Sequence, residues 1–160
     1  ETSTALGNET AYIKRDLIVE VARYLRDDGK LLFDMPIDCT ALDWQNKKSP
    51  RFEVVYHLYS TTLKHRLRLK VRLDENDVEM PALTQVWKGM NWHERECWDM
   101  YGVVFTGHPK LKRILLYEEF EGFPLRKDYP VEGRQPLIEM RDLATVPTEK
   151  EITPEMLNRP

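Results

Sequence analysis

The stretch RFEVVYHLYSTTLKHRLRLKVRL, residues 51–73, decides the fold of this chain. Apolar side chains recur there at every second position, which is the period of a β-strand with one buried face. The short gap at residues 60–63 favours an antiparallel hairpin with strands over about 51–60 and 64–73. The alternating apolar positions are Phe52, Val54, Tyr56 and Leu58, then Leu67, Leu69, Val71 and Leu73.

The second strand alternates its apolar side chains with four cations. Such a basic stripe is usually the solvated face of a half-buried sheet. The alternative is a surface for an acidic partner, because the aromatic interleaving of a single-strand nucleic-acid platform is missing. The cations are Arg66, Arg68, Lys70 and Arg72.

Composition narrows the class of protein further. A chain of 160 residues is expected to be one domain with some extension, and it needs no metal or disulfide to hold a core. Its net charge of −3 argues against a general nucleic-acid binder. Cys39 and Cys97 are too few for a disulfide scaffold or a self-contained iron–sulfur cluster. The apolar runs fall short of the roughly 20 residues of a membrane span, so membrane contact is expected only through partners.

Around the hairpin, apolar periodicity predicts two helices, and capping signals predict a third. The first covers about 15–28 and stops near Gly29; the others cover about 82–88 and 91–101. Asn91 is the expected cap of the third helix, with Glu94 in a capping box, and Gly102 ends that helix. The fold class is therefore α+β, a small mixed or antiparallel sheet packed by helices.

Shorter segments complete the expected fold. Residues 1–8 form a flexible lead-in, and 11–13, 31–42 (broken near Pro36) and 112–117 form further strands. Seven of the ten prolines lie from Pro109 onward. This shift predicts an α+β core domain over 1–105 and an extended docking segment with a C-terminal arm over 106–160.

The stretch GFPLRKDYP, residues 122–130, holds three charges between two prolines. Proline fixes φ and disfavours helix before it, so an ordered, extended segment is expected. It would present a catalytic group, grip a partner or form a solvated loop.

HEREC, residues 93–97, resembles a zinc motif of helical metalloproteases with Cys97 replacing the second histidine. His93, Cys97 and His108 would be the ligands. The broken motif makes a helix start with structural His and Cys the favoured interpretation.

Glu94, Arg95, Glu96 and Asp99 form a charged cluster in which Arg95 and Asp99 have the spacing of a helical ion pair. Paired carboxylates can divide acid and base roles, but an arginine among them favours an ion-pair network. No nucleophile or phosphate loop accompanies them. The residues alone therefore predict no catalytic, cofactor or metal site.

The stretch WKGMNWHERECWDMYGVVFTGHPKLKRILLYEEFEGFPLRKDYP, residues 87–130, resembles the C subunit, also called the 30 kDa subunit, of proton-translocating NADH:quinone oxidoreductase (respiratory complex I). The hairpin is also similar, so the resemblance covers about residues 31–130. Phe123 stands where that family commonly has histidine, and Lys112 where it has arginine. The matching signature residues are Glu94, Arg95, Glu96, Asp99, Gly102, Phe105, His108, Pro109, Arg113 and Ile114, followed by residues 122–130.

The resemblance implies a scaffolding subunit of the hydrophilic arm that binds no cofactor itself. Its partners would be the quinone-site D subunit and the B subunit, which holds the terminal iron–sulfur cluster. FMN, Fe–S clusters and quinone would lie in partner subunits, which pass electrons from NADH to quinone coupled to proton translocation. The location implied is peripheral, at the cytoplasmic face of the inner (cell) membrane.

The same resemblance implies interface or structural roles, not catalytic ones, for the motif residues. Arg126, Lys127 and Asp128 would dock on neighbouring subunits. The full set is Glu94, Arg95, Glu96, Asp99, Gly102, Gly107, His108, Pro109, Arg113, Gly122, Pro124, Leu125, Arg126, Lys127, Asp128, Tyr129 and Pro130.

Two alternatives stay open at this point. One is the equivalent subunit of a related membrane-bound hydrogenase or of a ferredoxin- or F420-linked quinone reductase. The other, more remote, is a free-standing zinc metalloenzyme that uses His93, Cys97 and His108. Neither alternative involves nucleic acid.

Overall fold

The computed structural model describes residues 1–5 and 8–137, in which two helices pack on one face of a five-stranded sheet. Short 3-10 turns at Arg15–Leu17 and Gln45–Lys47 join some of the elements. The strands are β1 Thr2–Ala5, β2 Asn8–Tyr12, β3 Met35–Asp43, β4 Phe52–Tyr59, β5 Arg66–Leu73, β6 Glu79–Pro81 and β7 Val104–Thr106; the helices are α1 Ile18–Asp27 and α2 Met90–Tyr101.

The predicted hairpin is the centre of the sheet. Strands β4 and β5 pair antiparallel from Phe52 opposite Leu73 to Tyr59 opposite Arg66. The strand order is β1-β2-β5-β4-β3, and β2 runs parallel to β5, so the sheet is mixed. The α+β class is confirmed, as is a first helix within about 15–28.

The core lies between the apolar face of the hairpin and the two helices. Ile18 and Ala22 of α1 and Met90 of α2 are fully buried against Tyr56 and Leu69. The basic side chains of β5 therefore point away from the helices. We call this side of the sheet the open face.

The predicted helix over 82–88 is wrong, because these residues form turns. Leu83 and Trp87 are buried, and the Trp87 indole N–H donates to the carbonyl of Phe33 at 3.1 Å. Their apolar spacing reflects burial in a compact turn. Helix α2 begins after Gly89, so Asn91 is not its cap, and Glu94 forms no capping box.

Three shorter expectations also need correction. Residues 2–5 form strand β1 rather than part of a flexible lead-in. Strand β3 begins only at Met35, although its register does shift near Pro36 as expected. Residues 112–117 form no strand, because three of their N–H groups bind a side chain. Most of the predicted C-terminal arm, residues 138–160, lies outside the described residues.

Candidate docking site

Asp99 fastens the C-terminal segment, defined here as residues 107–137, to α2. Its buried carboxylate Oδ2 accepts the N–H groups of Ile114, Leu115 and Leu116 at 3.0, 2.9 and 3.0 Å. Burial opposes ionisation, but these bonds and the guanidinium of Arg113 outweigh it and lower the pKa of Asp99. An ionised carboxylate thus fixes three successive peptide groups that have no strand partner.

Arg113 completes this attachment from the segment's side. Its Nη1 donates to Asp99 Oδ1 at 2.7 Å, and its Nη2 donates to the carbonyl of Phe120 at 2.7 Å. The guanidinium also lies 5.7 Å from the centre of the Trp98 ring. One arginine therefore connects α2 to two turns of the segment.

Arg95 binds the same segment, so its predicted pairing with Asp99 is wrong. Its Nε and Nη2 donate to the carbonyls of Lys112 and Arg113 at 3.0 and 2.8 Å. Peptide groups without a strand partner need hydrogen bonds, and charged side chains supply strong ones. Both side chains therefore face the segment instead of each other.

The end of α2 forms the second attachment. Gly102 closes the helix with φ of 75°, in the left-handed region. Arg126 Nε donates to the carbonyl of Tyr101 at 2.6 Å, and Leu125 N–H donates to that of Met100 at 3.1 Å. A cation at the C-terminus of a helix meets the negative end of its dipole. The Arg126 guanidinium also lies 4.7 Å from the centre of the Phe123 ring.

Arg51 forms the third attachment, to the sheet. Its Nε and Nη2 bind both oxygens of Asp43 at 2.9 and 2.8 Å, and Nη2 lies 3.0 Å from Asp128 Oδ2. Asp43 Oδ2 also accepts the N–H of Lys127 at 2.8 Å. Glu75 binds the remaining side of the guanidinium. The Arg51 hydrogen bond lowers the pKa of Asp43 to about 2.

The other motif positions set the path of the chain. Gly107 and Gly122 have φ of 80° and 89°. His108 accepts the N–H of Lys110 on Nδ1 at 3.1 Å, and its Nε2 lies 3.1 Å from the carbonyl of Asn91. Tyr129 packs against Gly122 and on Phe120. Glu96, Pro109 and Pro130 are exposed, and Pro124 is half-buried.

The segment turns the guanidinium groups of Arg113 and Arg126 toward the rest of the chain and exposes several apolar side chains. Leu115 is 63% exposed, Leu125 48% and Tyr117 39%. Lys127 is exposed as well, whereas Arg126 is half-buried. Asp128 is exposed too, so two residues of the expected Arg-Lys-Asp triplet share the outer surface with these apolar side chains.

Glu94 belongs to the core and not to this surface. It is fully buried, its Oε1 accepts the N–H of Leu83 at 2.6 Å, and its Oε2 has no partner among the described residues. Burial raises its pKa to about 8. Glu94 is therefore mainly a neutral carboxylic acid at neutral pH.

The three candidate zinc ligands have separate environments. His93 Nδ1 lies 3.7 Å from Asp38, Cys97 is buried in the core, and His108 binds backbone groups. Within residues 1–5 and 8–137, no three His, Cys, Asp or Glu side chains are grouped to hold a metal ion.

Sequence reasoning missed Asp43, Arg51 and Glu75. Asp43 and Arg51 lie at the ends of β3 and β4, where no periodic pattern marks them. The only local signal was a charged residue directly before the alternating run. Their links to Lys127 and Asp128 join residues about half of the chain apart and are visible only in three dimensions.

These features define a class: an α+β domain whose irregular C-terminal segment is fixed to a helix and a sheet by buried charges. The chain belongs to the family of the 30 Kd subunit of respiratory-chain NADH dehydrogenase, whose family model matches residues 11–135.

Individual relatives agree with this family. The chain is 50% identical over 125 residues to the NADH-quinone oxidoreductase C subunit of Roseiflexus sp. (strain RS-1), covering 78% of this chain and 71% of that protein. It is 45% identical over 133 residues to the NADH-quinone oxidoreductase C 2 subunit of Rhizobium etli (strain CIAT 652), covering 83% and 70%.

Two solved structures share the fold. A trypsin-resistant fragment (1–134) of Nqo5 matches with a TM-score of 0.61 at 30% identity, covering 69% of this chain and 89% of that one. A chain of an archaeal respiratory membrane complex, the membrane-bound sulfane sulfur reductase, matches with a TM-score of 0.70 at 25% identity, covering 82% and 78%.

Proposed function

We propose that this chain is a structural subunit of the hydrophilic arm of NADH-quinone oxidoreductase, which moves electrons from NADH to quinone coupled to proton translocation. The observation that carries this proposal is the C-terminal segment, held without helix or strand by Asp99, Arg113, Arg126 and Arg51. A segment ordered before it meets a partner loses less entropy on binding. We therefore assign to the C-terminal segment the role of docking on a neighbouring subunit.

The chain's part in the reaction is positional. FMN, Fe–S clusters and quinone are assigned to partner subunits, which is supported by a sequence with only two cysteines, both in the core. Glu94 has a role in the packing of the core, and Asp99 has a role in attaching the segment. Neither residue lines a cavity described in the structure.

The quinone-site D subunit and the terminal Fe–S cluster B subunit are the proposed neighbours. The core domain over 1–105 and the docking segment and arm over 106–160 are the proposed division of this chain. The exposed Leu115, Tyr117 and Leu125 are the contact side chains we assign to this interface. The proposed location is the cytoplasmic face of the membrane, reached through the complex. Neither described helix has the length and apolar character needed to cross a membrane.

The test is purification in mild detergent through a tag on this chain, followed by identification of the proteins that accompany it. Arg126→Ala is expected to lower the amount of assembled complex while NADH:quinone turnover per complex stays unchanged, because Arg126 holds the segment rather than touching substrate. Arg134→Ala, an exposed position in the same segment, is the control and should assemble normally.

Two outcomes would contradict the proposal. Recovery of the tagged chain as a lone monomer would show that it is not a subunit of a complex. If the Arg126→Ala variant assembled normally but lost turnover, Arg126 would act in the reaction and not in docking.

A second candidate is the equivalent subunit of a related membrane-bound hydrogenase or of a ferredoxin- or F420-linked quinone reductase. Its support is the fold shared with a chain of the membrane-bound sulfane sulfur reductase. Identity of 50% to an NADH-quinone oxidoreductase subunit, against 25% there, favours the first candidate. Oxidation of NADH or of reduced ferredoxin by the purified complex separates the two.

A further inference from the structure

The open face of the sheet carries a dense group of basic side chains that the docking segment does not use. Arg66, Arg68, Lys70 and Arg72 lie on β5, and His57 on β4 is directly opposite Arg68. Both helices pack on the other face. Among the described residues, therefore, no helix covers these cations.

Two carboxylates of the chain pair with the cations of β5: Glu53, and Glu1, which lies 3.3 Å from Arg72. Glu53 is the buried acid there, and it is shared by Lys48, Lys70 at 3.2 Å and Arg72 at 3.7 Å. Arg66 and Arg68 have no carboxylate within 4.0 Å among the described residues. Arg66 and Arg68 therefore carry positive charge that no paired acid offsets, although the chain as a whole carries −3.

A groove runs beside the two unpaired arginines. It has a volume of about 640 Å³ and is lined by Ile37, Leu58 and Leu67, by His57, His65, Arg66 and Arg68, and by the carboxylates Glu9 and Asp38. Burial, followed by the charge of Arg68, lowers the pKa of His57, in agreement with a positive environment. The groove therefore offers a partner apolar contact and the two arginines, with Glu9 and Asp38 also in its wall.

We propose that the open face binds an acidic helix of a neighbouring protein, as a docking surface separate from the C-terminal segment. This inference rests on the proposed function, since a subunit of a complex has neighbours on several sides. Alternate side chains of a strand stand about 6.5–7 Å apart. Carboxylates at positions i and i+4 of a helix are about 6 Å apart along its axis, so such a helix places them opposite successive cations of β5.

Nucleic acid fits this face less well. The tyrosine rings on it are covered, with Arg72 4.2 Å from the centre of the Tyr12 ring and Arg66 5.5 Å from that of Tyr59. Those rings are not free to stack bases, which single-strand binding uses for much of its energy.

Fluorescence anisotropy with the full chain tests this proposal. The probe is a labelled helical peptide with glutamate at every fourth position, compared with a peptide that carries glutamine there. We expect binding of the glutamate peptide alone, weakening with salt, and at least a tenfold loss of affinity in the double variant Arg66→Glu, Arg68→Glu. The double variant Arg23→Glu, Lys30→Glu makes the same charge change at exposed positions in and after α1 and should bind normally.

A peptide of opposite charge shows whether the variant loses binding through its changed charge or through misfolding. A lysine peptide should bind the Arg66→Glu, Arg68→Glu variant more tightly than it binds the unchanged chain. Equal affinity of all variants for the glutamate peptide, or tighter binding of single-stranded poly(U) or of phosphatidylserine vesicles, would overturn the proposal.

Release of the chain from the assembled complex by salt distinguishes a failure of this inference from a failure of the proposed function. The Arg66→Glu, Arg68→Glu chain should leave the tagged complex at lower salt than the unchanged chain, because charges at an interface set its salt dependence. Release at the same salt would overturn the acidic-helix site and leave the subunit assignment intact. If the unchanged chain did not assemble at all, the proposed function itself would be wrong.

Discussion

Glu94 and Asp99 are two fully buried acids on α2 whose pKa values shift in opposite directions. Asp99 accepts three backbone N–H groups and a guanidinium, whereas Glu94 accepts one N–H group. The number of donors decides whether burial is overcome. Asp99 thus stabilises the fold above its ordinary pKa, and this contribution is lost as the pH falls through its lower folded value.

The raised pKa of Glu94 gives a prediction for the pH dependence of stability. The folded chain keeps a proton that the unfolded chain releases between pH 4.5 and about 8. The free energy of unfolding should therefore fall through this window as the pH rises, by up to about 1.4 kcal/mol per pH unit from this group. Glu94→Gln cannot ionise and should lack this component, as measured by urea unfolding across the window.

Glu96→Gln is the matched control for that experiment, because Glu96 is exposed on the same helix. Its pH profile should follow that of the unchanged chain. Parallel profiles for Glu94→Gln and the unchanged chain would show that the Glu94 carboxyl is ionised in the folded state.

At the scale of elements, Gly102 has two roles: it ends α2, and the C-terminal segment packs against it. Gly102 has φ of 75°, and a Cβ there would lie 2.5 Å from the Phe123 ring and 2.7 Å from the Arg126 guanidinium. Left-handed backbone costs a residue with a Cβ about 1–2 kcal/mol. The close approach is an additional demand, since the ring and guanidinium occupy the space that a side chain needs.

Gly102→Ala is expected to destabilise the chain by the left-handed cost plus about 1–3 kcal/mol for the displaced side chains. Gly107→Ala is the control, because Gly107 has φ of 80° but no atom within 4 Å of an added Cβ. It should show the conformational cost alone. Urea unfolding measures both variants, and equal losses would mean that Phe123 and Arg126 move aside freely.

At the scale of the whole molecule, Arg51 joins the end of β3, the start of β4, the loop after β5 and the C-terminal segment. Arg51→Gln leaves Asp43 buried without its main partner, which should cost about 3–5 kcal/mol of unfolding free energy. Hydrogen exchange at the amide of Lys127, which donates to Asp43, should accelerate as well.

Arg15→Gln provides the comparison for Arg51, because the Arg15–Asp77 pair is largely exposed. Its removal should lower the free energy of unfolding much less than Arg51→Gln does and leave exchange at Lys127 unchanged. A small loss for Arg51→Gln, or unchanged exchange at Lys127, would mean that the segment is held without this arginine.

The sequence predicted the parts of the fold that depend on near neighbours. Alternation over residues 51–73 located the hairpin, and spaced apolar residues before Gly29 located α1. Capping signals and Gly102 located α2, although Asn91 is not its cap. The same reasoning failed at 82–88, where burial in a turn imitates helical spacing. It also failed at 112–117, where a side chain replaced a neighbouring strand as hydrogen-bond partner.

By itself, the sequence determined the central hairpin, the two helices and the motifs of the family, because period and motif are properties of local spacing. Only the tertiary structure decided which charges meet. Asp99 bonds to residues 113–116 instead of Arg95, and Arg51 reaches Asp128, because each must satisfy groups removed from water by packing of distant segments. Several motif charges thus hold the chain's own segment, while Lys127 and Asp128 remain exposed on it together with apolar side chains.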